Sequence, residues 1–482
     1  MKRLAWVALG CALLLTGCAV DQQQEVNLYR QILNSNVPPL PEPGPQDPLS
    51  LDTALALTNQ NNEQLGLRGE DYVQALINKN RAVAAFLPTV SFQPNFTIEQ
   101  RPSGNASSST GPGGTGIGTG TTGGGTGTGS ITSSGGFRNH GDVSTRFEAP
   151  VVGNINLFRG FSDLANLKSA EWVIEQRRQI LLDAQNAVLL NAAQVYYQVL
   201  RSERQLEVLR NSLKVQEARV TDEEGRFKNG LSTRLAVAQT RAQADATRAS
   251  VALAEGDVAN GRSVLALIVG LPRVPNPLVD DFKVPDERPP EDQFEAAALA
   301  NRQDLLAAKA QMEAARHAVD AAIGEYYPSV SLNVAGFLYR EFYTDASKWN
   351  AILTANLPIF SAGIIEADVR NAWSRLRQAA LFESQVRRQA LNDVQLAYQN
   401  LLTSERRIKD LADAVAAADE ALKQAQAALA NNLAIVLDVL TAQDQLLNAQ
   451  LQLTGAQFDR TIFYLNLLRA TGELTQHAAR KP

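Results

Sequence analysis

Sulfur and histidine are scarce in this chain of 482 residues, which holds two cysteines, two methionines and three histidines. Two cysteines cannot build a disulfide scaffold or a zinc ribbon, and two methionines cannot line a copper relay. His140, His317 and His477 lie far apart and outside any H-E-x-x-H pattern, so each reads as a surface or packing residue. Basic excess is also missing. With 45 Lys and Arg against 50 Asp and Glu, the formal charge of −5 offers no surface for nucleic acid. No apolar run reaches the ~18 residues of a spanning helix, so membrane attachment would have to come by lipid or by β-barrel. No nucleophile, metal set or acid–base pair stands out, which argues against an enzyme. Gly118-Thr119-Gly120-Thr121-Thr122-Gly123 fits G-x-G-x-x-G, but it lies in low-complexity sequence with no helix behind it to hold a phosphate.

What is present begins at the N-terminus. Met1-Lys2-Arg3 and the apolar stretch Leu4 to Leu15 form an export signal over residues 1–17. The segment ends Leu15-Thr16-Gly17-Cys18, which resembles the bacterial lipobox. Cleavage would leave Cys18 as the mature N-terminus carrying a diacylglycerol and an N-acyl lipid, the only non-protein group expected. Ala19, where an aspartate would favour inner-membrane retention, points to the outer membrane. Loss of Lys2 and Arg3 takes the charge to −7, and Cys11 leaves with the signal. Residues 18–50 form the lipidated N-terminal segment.

The rest of the chain is duplicated. Asn229-Gly230-Leu231 matches Asn431-Asn432-Leu433, Phe158 matches Phe360, Tyr196 matches Tyr398 and Gly270 matches Gly472, each pair 202 positions apart. Phe86-Leu87-Pro88-Thr89-Val90-Ser91-Phe92 resembles Tyr326-Tyr327-Pro328-Ser329-Val330-Ser331-Leu332 at a separation of 240. The surplus in the first half falls in the Gly/Ser/Thr-rich stretch 103–136, an inserted flexible loop. The first repeat covers 51–270 and the second 291–472, joined by a Pro- and Asp-rich linker, 271–290, and followed by a tail, 473–482. From Leu164 to Val220, steps of three and four fall mostly on apolar residues, a coiled-coil seam. The helix from about Ser162 to Lys228, and its counterpart from about Gly363 to Ala430, would each span roughly 100 Å. Helices of roughly 35 residues are expected at about Leu51 to Phe86, Ser232 to Ile268, Glu291 to Tyr326 and Ala434 to Ala470.

Alternation of period two marks strands at about 88–100 and 141–152, and again at about 328–341 and 348–358. Val90, Phe92, Phe96 and Ile98 alternate with Ser91, Gln93, Asn95 and Thr97. Each run has about the length of a tilted outer-membrane strand, with one apolar face and one polar. Four strands cannot close a barrel, so closure requires several chains; two soluble hairpins capping a helical rod is the alternative that the pattern leaves.

A lipobox, two repeats, two amphipathic strands per repeat and very long helices together resemble the TolC family of outer-membrane ducts. The most specific residues are the helix-turn-helix tips, Arg226 to Thr233 and Ala430 to Leu440, and the junctions Phe158-Arg159-Gly160 and Phe360-Ser361-Ala362-Gly363. The resemblance implies a mostly α fold with a membrane β-barrel: a homotrimer with a twelve-stranded barrel, four strands per chain, continuous with a twelve-helix α-barrel in the periplasm. It implies a passive duct for efflux or export, with a periplasmic adaptor protein and an inner-membrane pump of RND or ABC type as partners. Adaptor contact would fall on Asn229, Gly230, Leu231, Ser232, Asn431, Asn432 and Leu433. Asp438 would supply the carboxylate of the periplasmic gate, where Ala236 stands in the first repeat. Thr441 replaces a second aspartate of some members, and Leu429 and Ala434 replace their tyrosine and arginine latch. A periplasmic coiled-coil adaptor lipoprotein is the alternative function; it predicts one hairpin flanked by β-rich lipoyl-like domains, against which the duplication argues.

Overall fold

The computed structural model describes residues 22–41, 44, 47–100, 143–340, 347–431 and 433–475. The signal, Cys18, the loop 103–136, Asn432 and residues 476–482 lie outside the described residues. The chain divides into two compact units, one from 1–80, 165–320 and 366–482, the other from 81–164 and 321–365.

The first unit is helical. It contains α1 (Gln22–Asn36), α2 (Leu51–Asn61), α3 (Glu63–Ala84), α4 (Ser162–Lys228), α5 (Arg234–Val269), α6 (Glu291–Asn301), α7 (Gln303–Ile323), α8 (Ile364–Ala430) and α9 (Val436–Thr471), some of which begin or end in the second unit. Helices α4 and α8 have 67 residues each, so each separates its own ends by about 100 Å. Thr233 caps α5, its hydroxyl accepting from the Ala236 amide, and the matched glycines Gly270 and Gly472 close α5 and α9 in the left-handed conformation.

Two expected helices are broken. The runs from Leu51 and from Glu291 each divide at one extended residue, Asn62 (φ −76°, ψ 121°) and Arg302 (φ −72°, ψ 120°). Neither break is at proline or glycine. Side chains hold both: Asn62 Oδ1 accepts from the Gln64 amide, and the buried Arg302 guanidinium donates to Asp304 and, at 2.6 Å, to Asp393 on α8.

The main core gathers Leu57, Tyr196, Tyr197, Val199, Leu265, Leu401 and Leu465 from both repeats. The linker is packed into it. Leu49 and Leu278 form a parallel bridge, Val274 and Asn276 are buried, and Arg262 Nη1 donates to the carbonyls of both. The hydroxyl of Tyr196 lies 2.7 Å from the Leu49 and Val279 carbonyls and accepts from the Val279 amide.

Helix α1 was not expected from the sequence. Tyr29 and Leu33 pack with Leu65, Val73 and Leu181, and a Cβ on Gly69 would stand 2.4 Å from the Tyr29 ring. Buried Gln185 donates to the Leu33 carbonyl and to Asn59 Oδ1, fixing α1 to α2 and α4.

The second unit is an antiparallel sheet of β1 (Thr89–Phe92), β2 (Asn95–Gln100), β3 (Val143–Arg159), β4 (Ser329–Arg340) and β5 (Trp349–Asn356). β1 and β2 lie in succession along one side of β3, so the sheet is four strands wide in the order β1/β2, β3, β4, β5. The interruption at Gln93-Pro94 fits proline's missing donor. β3 continues to Arg159, beyond the 152 read from alternation. Its pairing with β4 shifts register at Ala149/Pro150 and again at Asn156/Phe158.

Candidate functional site

Directly opposed residues of an antiparallel ladder share a face, so the register sorts the sheet into two surfaces. Phe96 pairs with Phe147 and Ala149 with Tyr339; below the bulge, Val151 pairs with Phe92 and with Gly336, which pairs with Trp349. Phe92, Phe96, Ile98, Trp349 and Leu353 are all exposed, and together they make one face apolar. The opposite face carries Thr97, Arg146, Glu148 and Arg340, and further along Asn154 and Asn333. Glu148 accepts from Arg146 and from Arg340 Nε, whose guanidinium stacks 4.0 Å from the Phe337 ring. Both edges of the sheet, β1/β2 and β5, have no strand partner among the described residues.

At each exit from the sheet the backbone turns through two left-handed residues. These are Gly160 (φ 58°) and Phe161 (φ 63°) before α4, then Ala362 (φ 50°) and Gly363 (φ 84°) before α8. The two pairs correspond across the repeat, with the glycine moved by one position. Gly160 is also constrained by space: a Cβ there would lie 2.0 Å from the Gly324 carbonyl oxygen.

The two tips are built differently. In the first, α4 closes with the Leu231 amide donating to the Arg226 carbonyl at 2.8 Å, and the Ser232 hydroxyl donates to the buried carboxylate of Glu223. Asn229, Gly230 and Leu231 are exposed and Ser232 is half-buried. In the second, Leu433 is 82% exposed, and Asn431 donates through its side chain to the Ala427 carbonyl. Asp438 lies at the third position of α9, where its carboxylate accepts from the Ile435 amide at 2.9 Å. Isoleucine has no side-chain acceptor, so only this half of a capping box forms. The exposed Asp438 is therefore a helix cap as well as a charge. Its repeat mate Ala236 is buried, so the two positions differ in exposure as well as in charge.

Among the described residues no helix is long and apolar enough to cross a membrane, and no group of three His, Cys, Asp or Glu could hold a metal ion. The sheet faces, its unpaired edges and the tips are the features to which a function attaches.

The model of the outer membrane efflux protein family matches residues 70–271 and 296–473. The chain is 26% identical over 360 residues to the probable outer membrane lipoprotein SilC of Salmonella typhimurium, covering 71% of this chain and 76% of SilC. It is 25% identical over 341 residues to the cation efflux system protein CusC of Escherichia coli K12, covering 65% and 70%. In fold it is similar to the outer membrane protein VceC of Vibrio cholerae, with a TM-score of 0.71 at 21% identity over 88% of this chain and 96% of VceC. A crystal structure of CusC gives a TM-score of 0.73 at 19% identity over 90% and 95%. With both repeats matched by one family and the same fold in solved channels, the chain belongs to the outer membrane efflux protein family and is an outer-membrane channel component of an efflux system.

Proposed function

We propose that three copies close the barrel by pairing β5 of one with β1/β2 of the next, giving twelve strands around one passive duct. The unpaired edges of a two-faced sheet support this reading, because an edge left open in lipid strands backbone donors and acceptors. The apolar face then meets lipid and the face of Arg146, Glu148 and Arg340 lines the lumen. Residues 51–270 and 291–472 act as two repeats about the linker 271–290, so a trimer carries six hairpins. The duct catalyses no reaction; a periplasmic adaptor and an inner-membrane pump supply cargo and energy. The adaptor meets the tips through Asn229, Gly230, Leu231, Ser232, Asn431, Asn432 and Leu433, and Asp438 faces the duct at its mouth.

Native mass spectrometry of the detergent-extracted protein decides the assembly: a trimer is expected, and a stable monomer or dimer overturns the closure. Cys18 bears the acyl lipid as a second attachment. Labelled palmitate enters the wild type and not Cys18→Ser. The barrel retains the unlipidated chain in the membrane when another signal exports it; a wholly soluble Cys18→Ser protein would refute the barrel.

A further inference from the structure

We infer that Asn229 is a site of spontaneous covalent modification, in which its side-chain amide is converted through a cyclic imide to a mixture of aspartate and isoaspartate. Asn-Gly occurs twice in the chain, at Asn229-Gly230 and Asn260-Gly261, and the duplication supplies a third comparison in Asn431-Asn432. The three differ in ways that set the reaction rate. Ring closure requires the nitrogen of the following residue to reach the asparagine Cγ. A side chain on that residue hinders the approach, as Asn432 does after Asn431, and glycine does not.

Asn229 and Gly230 are exposed, Gly230 has φ +75°, and a Cβ built on it would meet nothing within 4 Å. Two hydrogen bonds hold the nitrogen in place: the Gly230 amide donates to the Phe227 carbonyl at 3.0 Å, and the Leu231 amide closes the turn. These are the last bonds of α4, and helix ends open at little cost. Asn260-Gly261 lies inside α5, where Gly261 approaches Val199 so closely that a Cβ would stand 3.1 Å from its methyl. Freeing that nitrogen means opening a helix interior against its neighbour.

In the opened turn the Gly230 nitrogen gives up its proton and its electron pair forms a bond to Asn229 Cγ. The bond from Cγ to Nδ2 breaks and ammonia leaves with that proton. Water then adds to either ring carbonyl and breaks its bond to nitrogen, leaving a carboxylate on the side chain or, in isoaspartate, a backbone lengthened by one carbon. The net change is water in and ammonia out. Either product places a negative charge at the C-terminal end of α4, where the helix dipole disfavours it. That this alters adaptor contact rests on the role proposed above for the tip; the chemistry does not.

The test uses the intact membrane-extracted protein, aged in neutral buffer and then cleaved briefly with trypsin in mild acid. Cleavage after Lys228 and Arg234 isolates 229–234, and cleavage after Arg248 and Arg262 isolates 249–262. The 229–234 peptide should gain about 1 Da, as an amide becomes an acid, and should contain isoaspartate that an isoaspartyl methyltransferase labels. Conversion should run roughly tenfold or more faster than at Asn260, the difference between an end that frays and an interior that does not. Asn229→Gln should abolish it with no change in thermal unfolding. Equal rates at the two sites would overturn the proposal, as would aspartate formed without isoaspartate, because direct hydrolysis leaves no cyclic imide.

Discussion

The hydroxyl of Tyr196 meets three backbone groups on two separate segments. The Val279 amide also donates to the Leu49 carbonyl at 3.3 Å, so Tyr196→Phe leaves the Val279 carbonyl unpaired without changing the packing. A loss of about 1–3 kcal/mol is expected, read as a lower midpoint of thermal unfolding. Burial holds that hydroxyl well above the ordinary phenol range, so the loss should not vary across neutral pH. Asp183 behaves differently. Burial raises its carboxyl above the usual range, against the opposing pull of Arg469 at 2.8 Å. Its folded value exceeds its unfolded value, so its contribution to stability is full at acid pH and lost as pH rises through the folded value. Unfolding midpoints measured from acid to neutral pH should therefore shift in favour of Asp183→Asn as pH rises; a flat difference would refute the raised value. At Asp438 two roles can be separated. Asp438→Ala removes both cap and charge and should cost about 1 kcal/mol at the start of α9, whereas Asp438→Asn keeps an acceptor and loses only the charge. If the gate reading holds, single-channel recordings will show block by divalent cations weakened in both variants, while only the alanine form loses stability.

Turns and breaks between elements separate what could be read in the sequence from what could not. The long helices were legible because their apolar seam runs unbroken for many turns, and α4 ends at Lys228 where a helix stop was expected. The breaks at Asn62 and Arg302 were not, since a single extended residue leaves the apolar period nearly intact and neither carries a breaker's composition. Arg302 is held by Asp304, two positions on, and by Asp393, 91 positions away. Helix α1 escaped notice because it is polar along most of its length and is fixed by buried amides at Asn59 and Gln185. The division of the first strand at Pro94 did have a signal, the missing amide of proline. Of the candidate site, the tips and junctions were legible as repeated motifs, while the capping role of Asp438 required the Ile435 amide to be located. At the junctions, Gly160→Ala should prevent folding, because its Cβ would collide with a backbone carbonyl. Ala362→Gly should stabilise by up to about 1 kcal/mol, since it relieves a left-handed alanine. Equilibrium unfolding of the two variants checks both.

At the scale of the whole molecule, neighbouring residues on β5 test the two faces. Leu353 lies on the apolar face and Thr354 on the other. Leu353→Arg should cost about 2–4 kcal/mol if the residue lies near mid-depth in the bilayer, and should reduce the amount of heat-resistant assembly in the outer membrane. Thr354→Arg should assemble normally and change conductance. Equal tolerance of both would mean that the sheet does not face lipid. Deleting 103–136 should leave assembly and export intact, because the second repeat pairs the same strands without an insertion and loop-closure cost varies slowly with length. The docking of α1 has a mechanical consequence. Three residues separate Cys18 from Gln22. With Cys18 acylated, the lipid is tied to α1 by a leash that extends to ~14 Å at most. The buried partners of α1 lie on α2, α3 and α4, all in the first repeat, and among the described residues the second repeat has no matching helix. Tension from a bending membrane would therefore enter each chain through its first repeat and reach the second only through the core that the two share.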